Sequence, residues 1–132
     1  MIVKTFEINR KKFDKENFFL VYGENEGHKN EIIKFLTKNF NGNIEKYDEA
    51  QIISDKELFY EKMLNQSLFE KEQIIIINRC SDKIYEIIEN IIEKKNSDIK
   101  VILNANVLEK KSKLRNLFEK KRELVIVPTY KD

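Results

Sequence analysis

Four short, almost continuously apolar runs do most to limit what this chain can fold into. They are residues 18–22, 74–77, 100–103 and 124–127, and each ends at glycine, asparagine or proline. Strands that are buried on both faces are apolar along their whole length, so these runs are predicted to be strands of this kind in a parallel sheet. Residues 42–47 carry a weaker form of the pattern and predict a fifth strand near an edge.

The segments between these runs have the spacing of amphipathic helices. Ser54 followed by Glu57 has capping-box spacing and predicts a helix over about residues 55–65; another is expected over about 112–121. The other apolar faces are Ile32, Ile33, Leu36 and Phe40 for the first helix, and Ile84, Ile87, Ile88, Ile91 and Ile92 for a later one. Parallel strands need crossover connections, so the predicted fold class is α/β: a three-layer parallel sheet with helices on both faces.

Composition sets the broad class of the protein. With 132 residues, 41% of them hydrophobic and 36% charged, the chain is expected to be one soluble folded domain. The net charge of +2 gives no strong attraction to nucleic acid or anionic lipid. A single cysteine, Cys80, and a single histidine, His28, exclude an intrachain disulfide and a Cys/His metal cage. No signal peptide or membrane-length apolar run is visible, so we expect a cytoplasmic location and no membrane partner.

The turn after the first strand is where sheets of this class usually hold a phosphate. Counting from Gly23 against G-x-x-x-x-G-K-[ST], Lys29 falls at the lysine position. His28 replaces the second glycine, Asn30 replaces the magnesium-binding hydroxyl, and Gly27 comes one residue early. The sequence therefore predicts a degenerate phosphate loop at Gly23, Gly27 and Lys29, with no nucleotide cofactor.

The ends of the other strands carry no catalytic group. Asn78, Arg79 and Cys80 follow the run at 74–77, where a magnesium-dependent hydrolase would carry an acidic pair. Asn104 is interpreted as a polar strand end, and Cys80 as a small loop residue. We therefore expect neither catalytic residues nor a metal site.

Three segments, in this order and spacing, resemble the N-terminal domain of the delta subunit of the bacterial DNA polymerase III clamp loader. They are residues 21–26 (VYGENE), residues 65–69 (NQSLF) before the run at 74–77, and residues 101–114 (VILNANVLEKKSKL). The resemblance implies an AAA+-like domain over residues 1–132 that has lost its nucleotide site and has no activity of its own. The lid and collar domains of the family are not seen in this chain, which favours an excised domain.

The resemblance also implies a binding site for the sliding clamp, the beta subunit. Its hydrophobic plug would be Leu68 and Phe69, with Met63, Leu64 and Ser67 as candidate supporting residues. Without the resemblance, both plug side chains would more simply seal the core. The other implied partners are the remaining clamp-loader subunits, and DNA reached indirectly through the assembled machine.

Two alternatives stay open. The chain could be an unusual P-loop nucleotide-binding enzyme that uses Lys29, or a basic DNA-binding module acting through residues 110–122. The candidate DNA contacts in that stretch are Lys110, Lys111, Lys113 and Arg115. Interspersed glutamates at 109, 119 and 123 favour an ordinary solvated helix face for the same stretch.

Overall fold

The computed structural model of the protein describes residues 1–13, 15–65, 72–94 and 98–129. Strands and helices alternate along these residues, as the hydrophobic pattern predicts. The strands are β1 (Phe18–Tyr22), β2 (Asn43–Asp48), β3 (Gln73–Cys80), β4 (Ile99–Ala105) and β5 (Leu124–Pro128). The helices are α1 (Glu26–Thr37), α2 (Glu49–Ser54), α3 (Lys56–Asn65), α4 (Tyr85–Lys94) and α5 (Lys113–Lys120), and short 3-10 helices span Thr5–Arg10 and Asp82–Ile84.

All five strands form one parallel sheet in the order β2-β3-β4-β1-β5. Leu20 in the middle of β1 aligns with Leu103 on one side and Ile126 on the other. β2 lies at an edge, as predicted, and at the opposite edge Ile2 makes a single parallel bridge to Ile126. Because the strands are parallel, their carboxyl ends lie along the same edge of the sheet, which positions the candidate site.

The core consists of two apolar layers, one on each face of the sheet. Helices α2, α3, α4 and α5 cover one face, and α1 with the Thr5–Arg10 helix covers the other. Phe40 packs on the second layer although α1 ends at Thr37. The three-layer α/β prediction is confirmed.

The helix predicted over about residues 55–65 is confirmed as α3 (Lys56–Asn65), but the prediction of Ser54 as its cap is wrong. Ser54 is the last residue of the preceding helix α2, where its hydroxyl donates to the Gln51 carbonyl at 2.8 Å. The cap of α3 is Asp55, whose carboxylate accepts from the Leu58 backbone N–H at 3.1 Å. α2 is only six residues long, too short to display a helical period, which is why sequence reasoning missed it.

Candidate functional site

The turn between β1 and α1 is closed by backbone contacts to the neighbouring strands. The N–H of Gly23 donates to the Asn106 carbonyl at 3.3 Å. Thr129 donates to the Tyr22 carbonyl through both its N–H (2.8 Å) and its hydroxyl (2.9 Å). Gly23 has φ of 139°, and a Cβ at this position would collide with the Thr129 hydroxyl and carbonyl. The first glycine of the loop therefore permits this close approach to the end of β5.

The first turn of α1 is capped by the side chain of the residue that precedes it. Asn25 is the N-cap, and its Oδ1 accepts from the His28 N–H at 3.0 Å. The Lys29 N–H bonds to the Asn25 carbonyl at 3.0 Å. The Asn25 side chain thus occupies the His28 N–H, one of the first-turn donors that could otherwise bind an anion, whereas the Lys29 N–H makes an ordinary intrahelical bond.

The side chain of Lys29, at the lysine position of the loop, is bonded within the protein. Its side chain is only 1% exposed, and its Nζ donates to the Ala105 carbonyl at the end of β4, 2.9 Å away. The same Nζ lies 3.1 Å from the Glu26 carboxylate. The hydrogen bond from Lys29 is the main reason that the pKa of Glu26 is lowered. A carboxylate of the protein itself therefore neutralises the lysine.

Asn104 and Asn78 extend this contact across the edge of the sheet. The Asn104 side chain is buried, and its Nδ2 donates to Asn78 Oδ1 at 3.1 Å and to Glu26 Oε1 at 3.4 Å. The ends of β3 and β4 are thereby joined to the first turn of α1. We call Glu26, Lys29, Asn78 and Asn104 the polar bridge.

The end of β3 is irregular and carries two carboxylate contacts that sequence reasoning missed. The register between β3 and β4 shifts between Ile77 and Cys80, and Arg79 has a left-handed φ of 55°. Arg79 pairs with Asp48 at 2.6 Å. Glu49 is buried and accepts from the Ser81 N–H (2.6 Å) and hydroxyl (2.7 Å). The only available signal was the position of both carboxylates at the end of a predicted strand.

Cys80 is not a loop residue, so that interpretation is wrong. It is the last residue of β3, it is buried, and its Sγ donates to the Ile77 carbonyl at 3.2 Å. Burial is the main cause that raises the pKa of its thiol far above the ordinary range. A thiol with these properties is a poor nucleophile.

The predicted plug follows α3 in the sequence, and the structure describes the residues on either side of it. Ser67, Leu68 and Phe69 lie outside the described residues. At the end of α3, Met63 is buried in the core at 4% exposure, whereas Leu64 is 49% exposed. Met63 is therefore a core residue, whereas Leu64 is available at the surface.

The last turn of α3 is attached to the edge strand by a small polar cluster. Lys62 Nζ pairs with the Glu45 carboxylate and lies 2.5 Å from the Tyr47 hydroxyl, which itself donates to Glu45 at 2.5 Å. Both partners are on β2. The chain therefore leaves α3 from a helix end that is held against the sheet.

The candidate DNA contacts in the basic stretch at 110–122 differ in exposure and in their contacts. Lys110, Lys111 and Lys113 are exposed near the start of α5. Arg115 instead points inward: its guanidinium bonds to the Leu108 carbonyl (3.0 Å) and to Glu119 (3.2 Å), and lies over the Tyr22 ring at 5.4 Å. Arg115 thus has a structural role in the described part of the chain.

The start of α5 is also occupied by an internal carboxylate. Asp82 accepts from the Ser112 hydroxyl (2.6 Å) and from the N–H groups of Lys113 (3.0 Å) and Leu114 (3.2 Å). Burial opposes ionisation of Asp82, but these hydrogen bonds outweigh it and its pKa is lowered. An external anion would find this helix end already filled.

Together, the strand order β2-β3-β4-β1-β5, the helix that follows β1 and the polar bridge define a parallel α/β fold in which Lys29 is paired with groups of the protein itself. Among solved structures, the chain is similar to the Bacillus subtilis DNA clamp loader delta protein (YqeN), with a TM-score of 0.64 and 13% sequence identity. The match covers 95% of this chain and 42% of that one, so this chain spans less than half the length of its structural neighbour. At this identity the likeness concerns the fold.

Other comparisons add no closer identification. No protein-family model matches the chain, and no curated protein matches it. Within residues 1–13, 15–65, 72–94 and 98–129, no helix is both long and apolar enough to cross a membrane, and no group of three or more His, Cys, Asp or Glu side chains could hold a metal ion.

Proposed function

We propose that this chain is the clamp-binding domain of a clamp loader of the delta type, and that it works without binding or hydrolysing nucleotide. The observation that carries the proposal is the polar bridge within an AAA+-like fold. The domain keeps the architecture of a nucleotide-driven motor, while Lys29 is held by Glu26 and the Ala105 carbonyl. A role in protein attachment accounts for retaining such a fold without its nucleotide site.

The attachment site in this proposal is the hydrophobic plug of Leu68 and Phe69. The flank of this segment supports the proposal, because Met63 fixes the end of α3 in the core and Lys62 holds the same turn to β2. The helix end before the plug segment is therefore fixed, and an interface anchor gains affinity when less motion has to be lost on binding. Leu64 adds an exposed apolar surface just before the plug.

The partners in this proposal are the sliding clamp, the other subunits of the loader and, through the assembled machine, DNA. A plug explains attachment, but opening the ring needs more. Binding favours the open ring only if its affinity for that state is higher than for the closed ring. Contacts beyond Leu68 and Phe69 must therefore distinguish the two states of the clamp.

The direct test is the affinity for the sliding clamp of the same organism, measured by surface plasmon resonance. Anchor residues of this kind contribute about 2 kcal/mol or more each, so Leu68→Ala and Phe69→Ala should each weaken binding by at least roughly 30-fold, and the double variant should bind more weakly than either. The matched control is Leu58→Ala, which removes an apolar side chain that is 63% exposed on α3, the helix that precedes the plug in the sequence. This control should bind as tightly as the unmodified chain.

Thermal unfolding distinguishes a plug from a core seal. If Leu68 and Phe69 form a plug, their truncation should leave the melting temperature nearly unchanged, whereas truncation of core residues lowers it strongly. Retained clamp binding together with a large loss of stability would reject the plug assignment.

Calorimetry with Mg-ATP separates this function from that of a P-loop enzyme. We expect no binding heat, because Lys29 is already paired. Micromolar ATP binding that disappears in Lys29→Met would favour the enzyme instead.

A further inference from the structure

Two basic segments that are distant in sequence meet at the amino ends of neighbouring strands. Residues 10–12 (Arg-Lys-Lys) lie on the approach to β1, and residues 120–122 (Lys-Lys-Arg) lie just before β5. β1 and β5 are paired in parallel, so both segments enter the sheet from the same edge. This edge is opposite the polar bridge, which lies at the carboxyl ends.

Met1 shows how close the two segments are. Its amino group donates to the Lys121 carbonyl at 2.9 Å and to the Leu124 carbonyl at 2.6 Å. Its sulfur accepts a weak contact from Lys11 Nζ at 3.9 Å. Lys11 and Lys121 therefore flank one residue. We call the set the basic ridge, and its members are Arg10, Lys11, Lys12, Lys120, Lys121 and Arg122.

The basic ridge carries a net positive charge. All six side chains belong to exposed residues, and none has an ion pair within the described part of the chain. The carboxylates that act on the Met1 amino group are Glu119 and Glu123. Glu119 is bonded to Arg115 at 3.2 Å, so of these two carboxylates only Glu123 is not in an ion pair within the described residues.

An exposed aromatic ring stands beside these charges. Phe6 is 65% exposed in the 3-10 helix that ends at Arg10, and Lys4 Nζ lies 5.9 Å from the centre of its ring. A 3-10 helix rises about 2 Å per residue, so the backbone of Phe6 lies roughly 8 Å along the helix from that of Arg10. Cations that follow a phosphate backbone, together with an aromatic face for a base, are the components of single-strand binding.

We propose that the basic ridge and Phe6 bind single-stranded nucleic acid, with the six cations on the phosphates and the Phe6 ring against a base. This site shares residues 120–122 with the basic stretch at 110–122, but it does not include the candidate contacts Lys110, Lys111 and Lys113, which precede or begin α5 at the other end of that helix. It is also independent of clamp attachment, because α3 is held to β2, at the opposite side of the sheet from β5.

The test is fluorescence anisotropy of a labelled oligothymidine strand, titrated with the chain at several salt concentrations. The triple variant Arg10→Ala, Lys11→Ala, Lys12→Ala should weaken binding. It should also lower the slope of log K against log salt by about 2, since each phosphate contact to a single strand contributes about 0.7. Phe6→Ala should weaken binding by about fivefold or more, with little change in slope.

The matched control is the triple variant Lys110→Ala, Lys111→Ala, Lys113→Ala, which removes the same charge from the other end of α5. We expect it to keep both affinity and slope, and all variants should melt close to the unmodified chain because the substituted side chains are exposed. The proposal is overturned if oligothymidine does not bind, if the control loses as much affinity as the ridge variant, or if Phe6→Ala binds unchanged. Tighter binding of a duplex of matching length would likewise overturn the single-strand assignment.

Discussion

The Nζ atom of Lys29 lies 2.9 Å from the carbonyl oxygen of Ala105, so the first turn of α1 is bonded directly to the end of β4. The Glu26 carboxylate, 3.1 Å from the same Nζ, completes the contact on the solvent side. A lysine at this position of a phosphate loop would normally be available to an anion. Here it links α1 to β4, so removing the lysine should lower the free energy of unfolding.

Lys29→Met should therefore destabilise the protein. Methionine keeps an apolar stem of similar length but leaves the Ala105 carbonyl without its charged donor, in a position where water cannot easily reach it. A hydrogen bond to a charged group contributes about 1.5–3 kcal/mol, and we expect a decrease of that order in the free energy of unfolding measured with urea.

The control for this substitution is Lys34→Met, an exposed lysine on the same helix. It makes the same chemical change without a buried partner and should alter stability by less than about 0.5 kcal/mol. Equal effects of the two substitutions would contradict a structural role for Lys29.

Glu26 gives the contact a pH dependence. Its pKa is lowered in the folded chain, first by the hydrogen bond from Lys29. A lowered pKa stabilises the fold above the unfolded value of about 4.3, and this contribution is lost as the pH falls through the folded value. The melting temperature of the unmodified chain should exceed that of Glu26→Gln at neutral pH, and the difference should shrink below about pH 4. A difference that stays constant from pH 7 to pH 3 would contradict the contact.

Sequence reasoning recovered the architecture because the strand signal was strong. Runs such as residues 74–77 are apolar at consecutive positions, and the residues of β3 at these positions are buried on both faces of the sheet. The failures were local. α2 is shorter than two helical turns, and Cys80 is in β3 because an irregularity carries the strand past the polar Asn78 and Arg79.

At the candidate site, the sequence predicted which residues are unusual but not how they are used. The replaced glycine and hydroxyl indicated a degenerate phosphate loop, yet nothing in the order of residues 23–30 shows that Lys29 turns to Ala105, which is 76 positions away. The contact of Arg115 with the Leu108 carbonyl could not be predicted either, because the sequence of a basic segment is the same whether its side chains face solvent or a carbonyl. Such contacts depend on the three-dimensional register of strands and helices.

Gln73 offers a test of buried polarity. It begins β3 at 1% exposure, and among the residues that the structure describes neither its amide nitrogen nor its amide oxygen has a hydrogen-bond partner. A buried polar group without a partner costs about 1–3 kcal/mol, so Gln73→Met should raise the free energy of unfolding by about 1 kcal/mol. Gln73→Glu should do the opposite, because it buries a charge. Urea unfolding of both variants measures the effect, and a loss of stability in Gln73→Met would show that the amide is satisfied in solution.

Gly23 in the β1–α1 turn and Gly27 in the first turn of α1 should differ in how strongly substitution by alanine changes stability. Gly23 has a φ of 139° that L-residues rarely adopt, and a Cβ there would lie about 2.5 Å from the Thr129 carbonyl oxygen. Gly23→Ala should lower the free energy of unfolding by about 2–4 kcal/mol, since backbone strain and overpacking both act. At Gly27, inside the helix, the nearest atom to a Cβ is Asn25 Oδ1 at 3.7 Å, so Gly27→Ala should be neutral or stabilise by up to about 1 kcal/mol. Thermal and urea unfolding of the pair provides the comparison. If Gly27→Ala were the more damaging of the two, the close contact between the β1–α1 turn and Thr129 would be wrong.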